Sequence, residues 1–182
     1  MTDVLSADPR PFPRGRVLAV DYGERRVGLA ISDPLGIIAT PAGAILRRPG
    51  KRPPIAEIVR RAGALEAVAF VLGLPLDGAG DDTPRAVEVR QIAAELGRRT
   101  SLPVRLVDER YTTAAALRAV REMGGSVRGR KEDVDALAAA VLLRHALAVL
   151  AHESARAPAD DAQPAVSSAA ATVAAPVDVA SA

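Results

Sequence analysis

The chain has 182 residues, with 24 Lys and Arg against 22 Asp and Glu, 49% apolar residues and no cysteine. That length suits one domain with a real core, and the missing cysteine excludes both a disulfide framework and a thiolate zinc site. No stretch reads as apolar for long enough to span a bilayer, and Met1–Arg14 lacks the apolar run of a secretory signal, so a cytoplasmic protein without membrane contact is expected.

Residues 1–14 read as a short flexible segment, 15–153 as the folded domain, and 154–182 as a disordered tail of Ala, Pro and Ser. Arg16 to Asp21 reads as a strand, nearly all apolar. Tyr22-Gly23-Glu24 is a turn, and Arg26 to Ser32 returns as the second arm of a hairpin. Ile37 to Leu46 reads as a third strand. Pro53 to Ala64 has helical spacing, with Ile55, Ile58, Val59 and Ala62 on one face. Ala67 to Leu72 is the continuous apolar run of a strand covered on both sides.

Thr83-Pro84 reads as a cap followed by proline in the first turn. Val89, Ile92, Ala93 and Leu96 then share a stripe. Pro103 to Val107 is the next strand. Thr112 or Thr113 opens a helix holding Leu117, Val120 and Met123, closed by Gly124-Gly125. Ser126 to Lys131 is a basic loop. Asp133 opens a last helix, where Val134, Leu137, Ala138, Val141 and Leu142 are expected to share a face. A β-β-β-α-β-α-β-α-α order predicts an α/β fold: antiparallel strands first, then β/α units with parallel crossovers, giving a mixed sheet flanked by helices.

Three acids occupy informative places. Asp21 closes the first strand, Glu109 ends the strand begun near Pro103, and Asp135 lies in the first turn of the last helix. Function gathers at strand ends in open α/β sheets, and neighbouring central strands would aim Asp21 and Glu109 at one patch. The small residues Ala138 and Ala139 would let the helix bring Asp135 over it. Clustered carboxylates repel one another, a cost that a divalent cation removes. Mg2+, or Mn2+ in its place, suits such hard oxygen donors, and metal ions so held catalyse phosphodiester displacement. Taken singly, Asp21 would serve as a turn residue and Asp135 as a helix-dipole partner; Asp133 is a rival to Asp135.

Four motif blocks stand out: Asp21-Tyr22-Gly23 with Arg26-Val27-Gly28-Leu29-Ala30 and Ser32-Asp33; Gly73-Leu74-Pro75-Leu76 with Gly80 and Pro84-Arg85-Ala86; Asp108-Glu109-Arg110-Tyr111-Thr112-Thr113; and Lys131, Val134-Asp135 and Ala138-Ala139. Together they resemble the YqgF (RuvX-like) family. Four blocks in one order over residues 16–150 are far more specific than one. The resemblance implies an RNase H-like nuclease, related in fold to Holliday-junction resolvases. It also implies that Asp21, Glu109 and Asp135 are the catalytic and metal-binding acids, acting in maturation of the 5′ end of 16S precursor rRNA.

The charge distribution is compatible with such a partner. The tail after Leu150 carries four acids and one arginine, leaving residues 1–150 at +5, a mildly basic body. Arg26, Arg110, Arg128, Arg130 and Lys131 are the expected contacts to nucleic acid. Gly23 and Gly28 are expected to let the hairpin turn and approach substrate, and Gly73 and Pro75 to set the loop path at the rim. Expected partners are structured RNA, including precursor rRNA and ribosomal particles, and branched DNA, with the protein a monomer or homodimer. The competing classes are a DNA junction resolvase, a non-catalytic RNA- or ribosome-binding module, and an actin-like ATPase. The last needs a second domain that one short chain does not offer.

Overall fold

The structure, a computed structural model, describes residues 4–5, 12–47, 50, 52–109 and 131–156. Among these, six strands form one sheet in the order β1-β6-β5-β2-β3-β4. The strands are β1 (Val4–Leu5), β2 (Arg16–Tyr22), β3 (Arg26–Ser32), β4 (Ala39–Leu46), β5 (Ala67–Leu74) and β6 (Val104–Asp108). The helices are α1 (Ile55–Ala64), α2 (Pro84–Thr100) and α3 (Lys131–Arg156). Strands β2, β3 and β4 are antiparallel neighbours, while β5 runs parallel to both β2 and β6. The expected helix over residues 112–123 lies outside the described residues, as does most of the basic loop.

Alternation along the strands builds two cores. Leu18, Val20 and Tyr22 of β2, with Leu29 of β3 and Phe70 and Leu72 of β5, face α1 and α2. Val17 and Ala19 of β2, Ala30 of β3, Val71 of β5 and Val107 of β6 face α3. The helical stripes of α1 and α2 fall where their spacing puts them, with Ile55, Ile58 and Ala62, then Val89, Ile92, Ala93 and Leu96, buried. Thr83 caps α2: its Oγ1 accepts from the Ala86 N–H at 3.1 Å and donates to the Pro75 carbonyl at 2.6 Å. Pro75 thus ties the loop after β5 to the start of α2. The Ser32-Asp33 motif is structural as well. Ser32 Oγ accepts from the Val17 N–H at 2.9 Å, and Asp33 Oδ1 accepts from the N–H groups of Ile37 and Ile38.

Several expectations are corrected. Val4 and Leu5 pair antiparallel with Val107 and Leu106, so strand structure reaches into the segment read as flexible. The last helix begins at Lys131 rather than Asp133. Its buried face is also different. Ala136, Ala139, Ala140, Leu142, Leu143 and Ala146 are buried, whereas Val134, Leu137, Ala138 and Val141 are only partly covered. This helix is apolar nearly all round, so hydrophobic spacing could not select a face; steric closeness to a sheet of small residues selects the alanine stripe. For the same reason Val134–His152 is long and apolar enough to cross a membrane, contrary to the expectation from sequence. In this fold it packs across β2, β3 and β4 as a core helix.

Candidate active site

The three expected acids meet on one face of the sheet. Asp21 continues the series Val17, Ala19 on β2 and so points toward α3. Its Cα partner on β3 is Gly28. Glu109 directly follows β6 and continues the series Arg105, Val107 on the same face. Asp135 stands in the first turns of α3, which crosses above. Asp21 is the penultimate residue of β2, not the last, and β2 and β6 are not neighbours, because β5 runs between them.

Two glycines make the convergence possible. A Cβ on Gly73 of β5 would lie 2.7 Å from Glu109 Cδ and 2.9 Å from its Cγ, closer still to Oε1. The absent side chain is therefore the gap through which Glu109 reaches across β5 toward Asp21. A Cβ on Gly28 would lie 2.6 Å from the Asp135 carbonyl carbon, closer still to its oxygen. Gly28 thus receives the backbone of α3, where the sequence suggested contact with substrate. Gly23 sits in the hairpin turn: its N–H donates to the Asp21 carbonyl at 3.2 Å, and a Cβ there would lie 2.7 Å from the Arg26 carbonyl oxygen.

Gly73→Ala should therefore push the Glu109 side chain aside while sparing the fold, since every colliding atom belongs to a side chain. Phosphodiester cleavage by this variant is expected to fall at least about tenfold, toward the level of Glu109→Gln, with an unchanged melting midpoint. Wild-type turnover would show that Glu109 acts elsewhere.

The electrostatics match the geometry. Burial, followed by the charge of Asp135, pushes the Asp21 carboxyl up to about 6, against the opposing pull of Arg85. Burial, then the charges of Asp21 and Asp108, pushes Glu109 up to about 7, again opposed by Arg85. Asp135 is raised by burial and drawn back by Arg26, whose Nε stands 3.8 Å from Asp135 Oδ2. Asp21 is thus the shared neighbour of two acids. Burial and mutual repulsion thus outweigh the nearby arginines at Asp21 and Glu109, which makes both sites where a further cation would be favourable.

Oxygen donors of this kind fit a hard divalent ion. Among the described residues, however, no three His, Asp or Glu groups close around a single point. An ion held by fewer carboxylates completes its shell with water and phosphate oxygens. Of the expected nucleic-acid contacts, Arg26 lies at the site. Arg110, Arg128 and Arg130 lie outside the described residues, as do the side chains of Lys131 and Asp133.

Sequence reasoning missed Arg85. It sits just inside the start of α2, its charge reaches both Asp21 and Glu109, and its Nη2 pairs with Glu24 Oε1 at 2.8 Å. The signal was present in the Pro84-Arg85-Ala86 motif: a cation one residue past a helix-opening proline, at the carboxyl edge of the sheet.

A mixed sheet in this order, flanked by helices on both faces, is an RNase H-like α/β fold. Residues 15–149 match the family described as "RuvX: Holliday junction resolvase", and the chain belongs to this RuvX (YqgF) family of nucleases. It is 41% identical over 133 residues to a protein of Clavibacter michiganensis subsp. michiganensis named "Putative pre-16S rRNA nuclease", covering 73% of this chain and 83% of that one. A Koribacter versatilis protein of the same name is 42% identical over 130 residues, covering 71% of this chain and 84% of the other. Thermus thermophilus RuvC, solved in complex with a Holliday junction substrate, shares the fold: the TM-score is 0.50 at 16% identity, over 77% of this chain and 96% of that one.

Proposed function

We propose that the chain is a divalent-metal-dependent nuclease that hydrolyses phosphodiester bonds during maturation of the 5′ end of 16S precursor rRNA. Residues 15–153 form the catalytic domain in this reading. The observation that carries it is the convergence of Asp21, Glu109 and Asp135 on one face, across two glycines that a side chain would block. Asp21 is the central metal ligand, with Glu109 and Asp135 completing the acidic set. Mg2+ or Mn2+, when bound, would supply neutralising charge and stabilise the phosphorane-like transition state.

The protein's own groups do the rest. Glu109, whose carboxyl is pushed up to about 7 by burial and by Asp21, is the acid that gains most from a cation that lets it ionise. Arg26 and Arg85 balance the acids and can turn to phosphate oxygens when substrate arrives. With aromatics at 2% of the chain, recognition rests on backbone and shape more than on base stacking. Precursor rRNA and ribosomal particles are the partners in this reading, and the cytoplasm is the place of action.

The family description favours a second reading, cleavage of branched DNA, since the same metal chemistry cuts either backbone. The test is a parallel assay with Mg2+ on precursor 16S rRNA carrying its 5′ extension and on a four-way DNA junction. We expect 5′ trimming of the RNA, absent with EDTA, and little turnover of the junction. Junction cleavage without RNA cleavage would overturn the RNA assignment.

A further inference from the structure

We propose that Glu88 is a positioning residue for the acidic site, acting through Tyr22 and Arg47 to fix the end of β2 that carries Asp21. The proposal rests on the reading of Asp21 as a metal ligand. Asp21 and Tyr22 are consecutive, and the two-residue period of a strand sends their side chains to opposite faces. Tyr22 is buried on the side of α1 and α2. Pairing with β3 ends at Tyr22 opposite Val27, and the chain then turns. The carboxylate of Asp21 is therefore only as well placed as Tyr22 is held.

Three elements hold it. The Tyr22 hydroxyl donates to Glu88 Oε1 at 3.1 Å. The same oxygen pairs with Arg47 Nη2, just beyond β4. The Arg47 guanidinium lies 4.5 Å from the centre of the Tyr22 ring. Its Nη1 donates to the Gly23 carbonyl at 3.4 Å, and its backbone N–H donates to the Arg25 carbonyl at 2.9 Å. One turn earlier on α2, Arg85 adds a second tie, to Glu24. Glu88 thus joins α2, the end of β4 and the hairpin turn from the face opposite the acids. The Arg47 side chain is only 17% exposed, so losing the Glu88 charge would leave a largely buried cation uncompensated. The turn would loosen, and a shift of about 1 Å in a ligand is enough to cripple a site.

The test is Mn2+ binding followed by calorimetry at pH 8 without nucleic acid, with kcat and KM measured separately on precursor rRNA. Glu88→Gln keeps an oxygen for Tyr22 and removes the charge facing Arg47; Glu88→Ala removes both. We expect Mn2+ affinity to fall about tenfold in Glu88→Ala and a few-fold in Glu88→Gln, with kcat reduced and KM unchanged at a temperature where both are folded. Arg90→Ala breaks the exposed pair with Asp82 on the same helix and should bind Mn2+ like wild type.

Wild-type Mn2+ affinity in both Glu88 variants, with only a lower melting temperature, would overturn the proposal. So would an equal loss in Arg90→Ala. If Glu88→Ala does not fold, the isosteric Glu88→Gln decides: a few-fold weaker Mn2+ binding supports the proposal, and wild-type binding overturns it. Failure of the wild type to bind Mn2+, or equal binding by Asp21→Asn, would instead bring down the metal-ligand reading beneath it.

Discussion

Asp21→Asn is expected to abolish metal-dependent cleavage and, in EDTA at pH 8, to raise the melting temperature above that of the wild type. Loss of residues that merely support metal ligands costs about 10–100-fold, so loss of the shared ligand should cost at least about a hundredfold. The stability gain follows from the site's electrostatics. Asp21 has a carboxyl at about 6 in the fold, against 3.8 ordinarily. A group that binds its proton more tightly when folded favours folding fully while it is protonated in both states. That contribution is lost as pH rises from about 4 through about 6.

Above that window the ionised Asp21 works against the fold by on the order of 1–3 kcal/mol, which an uncharged asparagine does not. In a chain of this size the relief corresponds to roughly 3–10 °C. The difference between the two proteins should vanish near pH 4. Melting curves in EDTA across pH 4–8 check it. A variant less stable than wild type at pH 8 would mean that Asp21 is a satisfied structural acid.

Gly28→Ala should lose both the fold's margin and the activity. The added methyl would sit 2.6 Å from the Asp135 carbonyl carbon, and that atom belongs to the backbone of α3, so no rotamer change relieves the clash. The helix must move by about 1 Å or the methyl must strain the strand, an overpacking cost of about 1–3 kcal/mol. Carried on that helix, Asp135 would be displaced from Asp21, and misplacement of this order costs about a hundredfold in rate. Urea denaturation read alongside the cleavage assay checks both parts. Gly73→Ala meets only side-chain atoms of Glu109, so it should separate activity from stability where Gly28→Ala does not. Wild-type stability in Gly28→Ala would mean that α3 sits farther from the sheet.

Much of the fold was legible because its signals are local. The β2–β3 hairpin, the stripe on α1 and the Thr83-Pro84 start of α2 each rest on spacing or cap chemistry within a dozen residues. The positions of Asp21, Glu109 and Asp135 at element ends were legible for the same reason. What was not legible depends on layers. Periodicity could not orient α3, because an alanine-rich helix is apolar on every side. Strand order was not local either, so β5 was not foreseen between β2 and β6, and the purpose of Gly73 became visible only with Glu109 folded across it. Gly28 read as a turn glycine until α3 was seen resting on it. Glu88 and Arg47 carry no motif of their own, and Arg85, though part of the Pro84-Arg85-Ala86 block, shows its role only when folding brings it to the hairpin that bears Asp21.

The most direct measurement is the uptake of Mn2+ by the purified protein at pH 8 and at pH 5, for the wild type and for Asp21→Asn, Glu109→Gln and Asp135→Asn. Because Asp21 and Glu109 have carboxyls pushed up to about 6 and about 7, cation binding should be strong at pH 8, where both are ionised, accompanied by proton release near pH 6, and weak at pH 5. It should be lost in Asp21→Asn and weakened in the other two. Binding that is independent of pH and unaltered in all three variants would contradict a shared carboxylate site.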